Sequence, residues 1–497
     1  MKIFNKDFFK RMLAAHSGIG LAVSVLMYLV CITGTVAVFY PEFERWEQPQ
    51  VQEYSALPST VLNDATKAFY QASPKSEKPL YIVMPTNELP RAHISDGETE
   101  FWLNQDGSLS EAVESHWTHL LTELHVNLYL PQQLGLVIVG ILGVMMTALI
   151  ISGVLAHHRI LKDAFRLRWG GTGQQQQIDL HNRLSVWALP FHFVIAVTGA
   201  FFGIVGLLIV SATELHYNGD RDALIADIYG TDPKVTEQAP VIDYVKAFES
   251  LAQVAPQATP IYTVVQSPNT TSQYLEIAAT LPNRLIYSEI YRFSAAGEYL
   301  DHQGFSDGPT FRQVVYSVYR IHFGHFGGYP TKIAYVLLGL ALTIVCVSGI
   351  NIWLNRRGKD TWLNHAWVGF VWGIPLALTV SAISSLVIAH SGAGSFLLVL
   401  CTAIAYCCSI KSTVLSNYRL VIVLALALIA LIVVHVSMFS NVAFTGASLV
   451  INSFICFWLI ITAGFVRYYQ AKVDFVSEYA KPLSCGKNGN EQGFALK

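Results

Sequence analysis

Of the 16 histidines in this 497-residue chain, four recur at fixed distances from a pair of small residues. His16 is followed seventeen residues later by Thr33-Gly34, and His181 seventeen residues later by Thr198-Gly199. His125 precedes Pro131 and then Ser152-Gly153, while His322 precedes Pro330 and then Ser348-Gly349, at intervals of 27 and 26 residues. An offset kept in two places marks an internal duplication, and this one pairs His16 with His181 and His125 with His322. Two facing neutral imidazoles at the end of an apolar helix bundle suit bis-histidine ligation of haem iron, because the macrocycle needs apolar walls and its propionates need cations. Lys10, Arg11 and Arg183 are candidate cations at one end, and Arg320 at the other. Gly18, Gly20, Gly327 and Gly328 lie near the histidines in sequence, where a missing side chain would let a flat ring approach the backbone. A histidine near a membrane interface also serves as an amphipathic anchor, and for any one of the four taken alone that reading stands beside the ligand reading.

Other histidines are weaker candidates. His192 follows His181 by eleven residues, about three helical turns or roughly 16 Å along the same face. It is either a second ligand level or a core histidine bonded to a neighbour, and its equivalent in the first half is Met27. His325 lies one turn from His322 and is an alternative ligand. His157 and His158 suit snorkelling at an interface, and His116 and His119 beside Trp117 suit a juxtamembrane amphipathic helix or an outer metal or substrate site.

The elements that must carry these residues are membrane helices. The composition is 53% hydrophobic and only 13% charged, with mean hydropathy +0.41, about half the charge of an ordinary soluble protein. Eight predominantly apolar runs are long enough to cross a bilayer: about 19–40, 133–156, 185–212, 331–354, 366–390, 393–410, 420–438 and 443–466. The sixth is short enough to be re-entrant or tilted, which would leave seven. The first reads as an uncleaved signal anchor. Lys and Arg gather before the first run (Lys2, Lys6, Lys10, Arg11), between the second and third (Arg159, Lys162, Arg166, Arg168), the fourth and fifth (Arg356, Arg357, Lys359) and the sixth and seventh (Lys411, Arg419). That alternation predicts both termini in the cytoplasm. The net charge of −2 gives no sign of nucleic-acid binding. Seven cysteines, Cys485 and six in apolar runs (Cys31, Cys346, Cys401, Cys407, Cys408, Cys456), have no CxxC spacing and read as neither a disulfide frame nor a zinc site.

Two hydrophilic segments, 43–118 and 213–318, then fall on the outer face. In the first, VLNDATKAFYQA reads as a helix and PLYIVMP and TEFWLNQDGSLS as strands; in the second, PVIDYVKAFESLAQVA is the helix and PIYTVVQ, QYLEIAAT and LIYSEIYRFSAAGEYLD are strands. The expectation is a multi-pass α-helical membrane protein with two copies of one small α+β module. Its parts are a cytoplasmic N-terminus and first span (1–42), a module (43–118), two spans joined by a basic loop (119–212), the second module (213–318), a fourth span (319–357), a four-span extension (358–467) and a cytoplasmic tail (468–497). The duplicated unit is helix, module, helix, and both copies enter the membrane from the same side, so their axis should run along the membrane normal.

The runs HSGIGLAVSVLMYLVCITG, LHVNLYLPQQLG, LHNRLSVWALPFHFVIAVTG and IHFGHFGGYPTKIAYVLLGL through SGINIWLNRR together resemble the PepSY-associated transmembrane helix family over about residues 8–357. The outer segments look like PepSY domains. The resemblance implies a bacterial inner-membrane protein of the iron-regulated or ferric-siderophore reductase type carrying b-type haem, two per chain, with ligands at His16, His125, His181 and His322. The implied partners are the lipid bilayer, a ferric siderophore or other ferric chelate in the periplasm, and a donor that is quinol or a separate cytoplasmic reductase. No Gly-rich βαβ turn marks a nicotinamide or flavin dinucleotide site in the chain itself. Reduction would free the metal, since Fe²⁺ suits hard oxygen ligands less well than Fe³⁺. The alternative is a non-catalytic protein whose PepSY modules bind a periplasmic peptide, protease or assembly partner. A coupled-ion transporter would need ionisable residues within the spans, and the eight runs are read as free of them.

Overall fold

The computed structural model describes residues 6–73, 78–157, 159, 160, 165, 172–233, 235 and 241–479. Lys2, His158, Lys162, Arg166, Arg168 and Cys485 lie outside these described residues. The first half contains helices α1 (Lys6–Ala37), α2 (Tyr40–Glu47) and α3 (Leu62–Ala72), then strands β1 (Leu80–Val83), β2 (Ala92–Ser95), β3 (Glu100–Leu103) and β4 (Leu109–Ala112), then α4 (His116–Val126) and α5 (Gln132–Ala156). The second repeats this order. It runs α6 (Gly173–Trp187), α7 (Leu189–His216), α8 (Arg221–Tyr229) and α9 (Tyr244–Val254), β5 (Thr259–Gln266), β6 (Tyr274–Thr280), β7 (Glu289–Ser294) and β8 (Tyr299–His302), then α10 (Thr310–Phe323) and α11 (Gly328–Arg357). Helices α12 (Trp362–Val387), α13 (Gly392–Ile410), α14 (Thr413–Phe439) and α15 (Gly446–Tyr479) follow.

Eight of the described helices are long and apolar enough to span a membrane: α1, α5, α7, α11 and α12 to α15. The protein is a multi-pass membrane protein. The sixth span, α13, is a continuous helix of 19 residues, about 28 Å, close to the thickness of a hydrocarbon core. The chain divides into two compact units, Met1–Lys359 with Phe439–Ile451 and Asp360–Met438 with Asn452–Lys497. Within the second unit α12 packs along α13, and Trp372 Nε1 donates to Asn417 Oδ1 on α14 at 2.7 Å.

In the first unit α1 packs against α5 and α11, α7 against α5, and α6 against α11, which makes a four-helix bundle with α6 and α7 as one bent member. The bend has a local cause. Pro190 lacks an N–H and sits in the first turn of α7, so the helix breaks at Ala188 and the predicted single span 185–212 starts afresh there. The half-one equivalent, α1, has no proline and runs unbroken for 32 residues.

The two predicted modules are joined. β1 pairs antiparallel with β5, from Leu80 opposite Val265 to Val83 opposite Tyr262, giving one eight-stranded sheet in the order β4-β3-β2-β1-β5-β6-β7-β8. Each module alone would leave an unpaired strand edge, and the pairing closes both. One face of the sheet, with Leu80, Ile82, Ile94, Leu275, Ile277 and Phe293, shares a single core with Phe69 of α3 and Tyr244 and Leu251 of α9. The strand β2 is not among the strands expected from the sequence: its four residues carry His93 and Ser95 on one side and only Ala92 and Ile94 on the other, too short an apolar alternation to mark a strand.

One expectation is overturned outright. Lys332, near the start of α11, is buried, and its Nζ lies 2.7 and 3.0 Å from the two carboxylate oxygens of Glu42 on α2. The spans are therefore not free of ionisable residues. The lysine is tolerated because the carboxylate neutralises it and the Phe39 ring lies 5.9 Å from the ammonium.

Candidate functional site

The bundle brings the four repeated histidines together two by two. The rings of His16 on α1 and His181 on α6 have centroids 6.3 Å apart, and those of His125 on α4 and His322 on α10 are 6.2 Å apart. These separations have a chemical meaning. A metal held about 2.0 Å from one nitrogen of each ring, with ring centres about 1.1 Å further out, would set the centroids roughly 6.2 Å apart. The two pairs are separated along the bundle, since the His125 ring abuts Gly34, 18 residues or about 27 Å along α1 from His16.

Each ring is fixed through Nδ1. His16 Nδ1 lies 3.0 Å from Leu149 O and 3.3 Å from Ser152 Oγ, and His181 Nδ1 lies 3.1 Å from both Val345 O and Ser348 Oγ. His125 Nδ1 donates to Val30 O at 2.9 Å. For these three a carbonyl acceptor puts the proton on Nδ1. His322 Nδ1 lies 2.8 Å from Thr198 Oγ1, whose own proton is directed to Val194 O at 2.7 Å, so here too the imidazole donates. No protein group among the described residues bonds any of the four Nε2 atoms, which are left with a lone pair. Donation from the other nitrogen to a carbonyl or hydroxyl is the arrangement that orients a metal-ligating histidine.

The residues that hold the rings are the Thr/Ser-Gly pairs that marked the repeat. A Cβ on Gly34 would overlap the His125 ring; one on Gly153 would lie 3.1 Å from His16 Cε1, on Gly199 3.4 Å from His322 Cε1, and on Gly349 3.5 Å from His181 Cε1. Ring clearance was expected instead of Gly18, Gly20, Gly327 and Gly328. Around a Cβ on Gly18 or Gly328 there is open space, one on Gly20 would meet Leu149, and one on Gly327 would meet its own helix at Thr331, so none of them touches a histidine. In three of the pairs the hydroxyl of Ser152, Ser348 or Thr198 bonds the imidazole, while Thr33 bonds its own helix at Leu29 O and Val30 O; in all four the glycine lies against a ring.

A cavity of about 400 Å³ opens between the helices at the His125/His322 pair. Its walls are apolar, with Met27, Val30, Leu142, Met146, Phe191 and Ile195 among them, and its polar wall includes Tyr40, Tyr319 and Thr122. Burial disfavours the charged form of both imidazoles here: His125 is held below the usual histidine range, and His322 is pushed to about 3 by burial and by its neighbour His125. Neutral imidazoles in an apolar pocket, proton on Nδ1 and lone pair on Nε2, fit an axially ligated macrocycle by the chemistry of the donors. No cluster of three or more His, Cys, Asp or Glu suited to a bare metal ion occurs among the described residues.

The weaker candidates fall elsewhere. His192 is buried with Nε2 3.4 Å from Leu338 O, the core-histidine arrangement, and is not part of the cavity wall. The ring that pairs with His125 is that of His322, while His325 packs tilted against Tyr40 and edge-on to Tyr319, with Nδ1 3.6 Å from Glu88. Arg183 lies over Trp187 and donates to Phe165 O at 3.3 Å, and Arg320 donates to Arg284 O at 2.9 Å, so both guanidinium groups have protein partners. Lys10 and Arg11 are exposed on α1.

The His125 end is tied to the sheet. Glu47 on α2 accepts from Trp117 N (2.9 Å), Thr118 N (2.8 Å) and Thr118 Oγ1 (2.6 Å), capping the first turn of α4, whose own N-cap Ser115 makes no side-chain bond. The next residue, Gln48, accepts from Trp102 Nε1 of β3 at 2.8 Å and donates to Ala112 O of β4 at 2.9 Å. Burial pushes the Glu47 carboxyl up to about 7, against the pull of its three donors, and burial with Glu100 and Glu47 nearby pushes Glu44 to about 8.

Comparison with known proteins agrees with this architecture. The chain is 25% identical over 253 residues to the uncharacterised protein PA4219 of Pseudomonas aeruginosa, an overlap of 48% of this chain and 64% of that one. It thus covers less than two thirds of that relative's length. The family model for the PepSY-associated TM region matches residues 13–356, from the turn before His16 to the end of α11 and so through all four paired histidines. On that match the chain belongs to the PepSY-associated TM family.

Proposed function

We propose that this protein is a haem-dependent electron-transfer protein of the bacterial inner membrane that reduces iron in a ferric chelate, of the siderophore type, on the sheet side. The observation that carries the reading is the pair of imidazole pairs, 6.3 and 6.2 Å between centroids, each ring anchored through Nδ1 with Nε2 free. When bound, b-type haem supplies the one-electron chemistry, with its potential set by axial ligands, second-shell bonds and burial. His16 with His181 would hold one and His125 with His322 the other. The residues of the chain contribute position and environment: carbonyls and hydroxyls fix the rings, glycines clear space beside them, and the apolar walls exclude water. The Lys and Arg distribution supports both termini in the cytoplasm and the sheet in the periplasm. Quinol or a separate cytoplasmic reductase would supply electrons.

The test is a reduced-minus-oxidised visible spectrum of the full chain in mild detergent, with haem per chain quantified, for the wild type and for His16→Ala, His181→Ala, His125→Ala and His322→Ala. Two low-spin b haems, with each substitution removing about one, are expected. A colourless protein after haem-replete expression sinks the reading and leaves the sheet as a binding module for a periplasmic peptide or protein.

A further inference from the structure

The last carbonyls of an α-helix have no partner within it, and in α10 the turn that leaves them open is the turn that carries His322. The chain leaves this helix through Gly324, at φ +73°, and both Gly324 N and His325 N return to Arg320 O, at 2.9 and 3.2 Å. In a continued helix His325 N would have bonded Ile321 O, so that carbonyl is left over, one residue before His322. Its donor comes from another helix. The Tyr335 hydroxyl on α11 donates to Ile321 O. The ring of Tyr335 packs under the same turn: a Cβ on Gly324 would sit 3.2 Å from its Cγ, Cδ1 and Cε1. Phe191 meets that ring edge-on at 5.0 Å and Phe326 at 6.2 Å, and Tyr335 is itself part of the wall of the cavity beside His125 and His322.

We infer that Tyr335 is the positioning residue for His322: by supplying the donor that the end of α10 lacks, it holds the last turn and with it the plane of the imidazole, which meets that of His125 at 28°. This rests on the haem reading above and goes beyond it by naming what sets the orientation of one ring of the four. The first half of the chain has no counterpart. Tyr335 stands thirteen residues before Ser348 in α11, and thirteen residues before Ser152 in α5 stands Val139, which has no hydroxyl. The end of α4 is secured from within, Asn127 Nδ2 donating to Glu123 Oε2 at 2.5 Å, and α5 approaches it through Gly135, where a Cβ would overlap Asn127 O. The clamp on α10 is therefore specific to His322, and its removal should be read at that ring and not at the others.

The test compares Tyr335→Phe, which keeps the ring and loses the donor, with the unsubstituted full chain in mild detergent. In haem-free protein, hydrogen exchange at the Gly324 and His325 amides should quicken about fivefold, as the loss of one hydrogen bond implies, while the Asn127 amide at the end of α4 is unchanged. In protein loaded with haem b, both haems should be retained, the ferric EPR signal of the near-parallel pair should shift, and that of the near-perpendicular pair should stay where it is. Gly324→Ala, which presses a Cβ on the Tyr335 ring at a left-handed position, should shift the same signal. Unchanged exchange, faster exchange with an unmoved EPR signal, or an equal shift of both signals overturns the inference and leaves the haem reading intact. Failure of the unsubstituted chain to take up haem, or uptake indifferent to His322→Ala, overturns the haem reading and this inference with it.

Discussion

The two histidine pairs have nearly the same ring separation and are built differently. At the far end from the sheet, His16 and His181 sit on the bundle's own helices, their rings at 81°, each held by a carbonyl and a serine hydroxyl. At the sheet end, His125 and His322 sit on the short helices α4 and α10, their rings at 28°, each held by a single partner. The first pair belongs to the membrane scaffold. The second is tied to the sheet through α2, whose Glu47 caps α4 and whose neighbour Gln48 bonds Trp102 of β3, while Glu42 on α2 holds Lys332 of the span α11. Duplication thus preserved the ring separation and let the supports diverge, so the sheet-end pair should respond to disturbances in the domain that leave the other untouched.

The largest expected contrast lies in the glycines. Under the proposed haem function, Gly34→Val drives a side chain into the His125 ring and should abolish haem binding at the sheet end while the other site keeps it, whereas Gly349→Ala, whose added Cβ sits at ordinary contact distance from His181, should leave haem content unchanged. Haem per chain measures this directly. The ferric EPR spectrum identifies the survivor, because near-perpendicular imidazoles give a more anisotropic low-spin signal than near-parallel ones. Equal losses from the two substitutions would break the comparison.

Next in size is the buried ion pair. Lys332→Met leaves Glu42 charged and unpaired in the interior, a change worth about 3 to 5 kcal/mol, and the sheet-end centre should melt first. Adding Glu42→Gln removes the orphaned charge and should recover most of the loss. A uniform fall in stability across both centres, unrelieved by the double substitution, would show that the pair does not act locally.

A smaller effect follows from the carboxyls near α4. Glu44 and Glu47 titrate at about 8 and about 7 in the folded protein, against an ordinary value near 4.5. The folded state therefore holds protons that the unfolded chain releases between those limits, so their contribution to stability is greatest at low pH and falls as pH rises from about 5 to 8. Thermal unfolding of the sheet-end centre should move to lower temperature over that range. Glu47→Gln should flatten the slope, and a rise in stability with pH would reverse the sign argued here.

The sequence made the histidine pairing legible because duplication preserves spacing, and the eight spans because bilayer thickness fixes their length. Contacts between distant segments were not legible. Gly34 and its counterparts appeared only as register marks, and the task of clearing the rings fell to Gly18, Gly20, Gly327 and Gly328, which are near the histidines in sequence but not in space. Lys332 lies within the run 331–354, read from the sequence as free of ionisable residues, and its partner Glu42 is 290 residues away in the chain. The β1–β5 pairing was equally hidden, since either strand would complete a module edge on its own, and only the shared core under Ile82 and Ile277 selects the joined sheet.

The smallest expected effect isolates the anchoring bonds. Ser152→Ala takes a hydroxyl 3.3 Å from His16 Nδ1, but Leu149 O remains at 3.0 Å, so the imidazole keeps its acceptor and neither haem content nor potential should move appreciably. Thr198→Val is isosteric and removes the one acceptor of His322 Nδ1, leaving a buried N–H unsatisfied at a cost of about 1 to 3 kcal/mol. Haem should be retained there with weaker binding and a raised potential, because an imidazole that no longer donates is a poorer electron donor to ferric iron. Thr198→Ser should restore the wild-type value, as loss of packing alone would not allow. If Ser152→Ala and Thr198→Val shift their centres alike, the single-partner and double-partner supports are equivalent, and the sheet-end pair owes its distinct behaviour to α4 and α10 rather than to its hydrogen bonds.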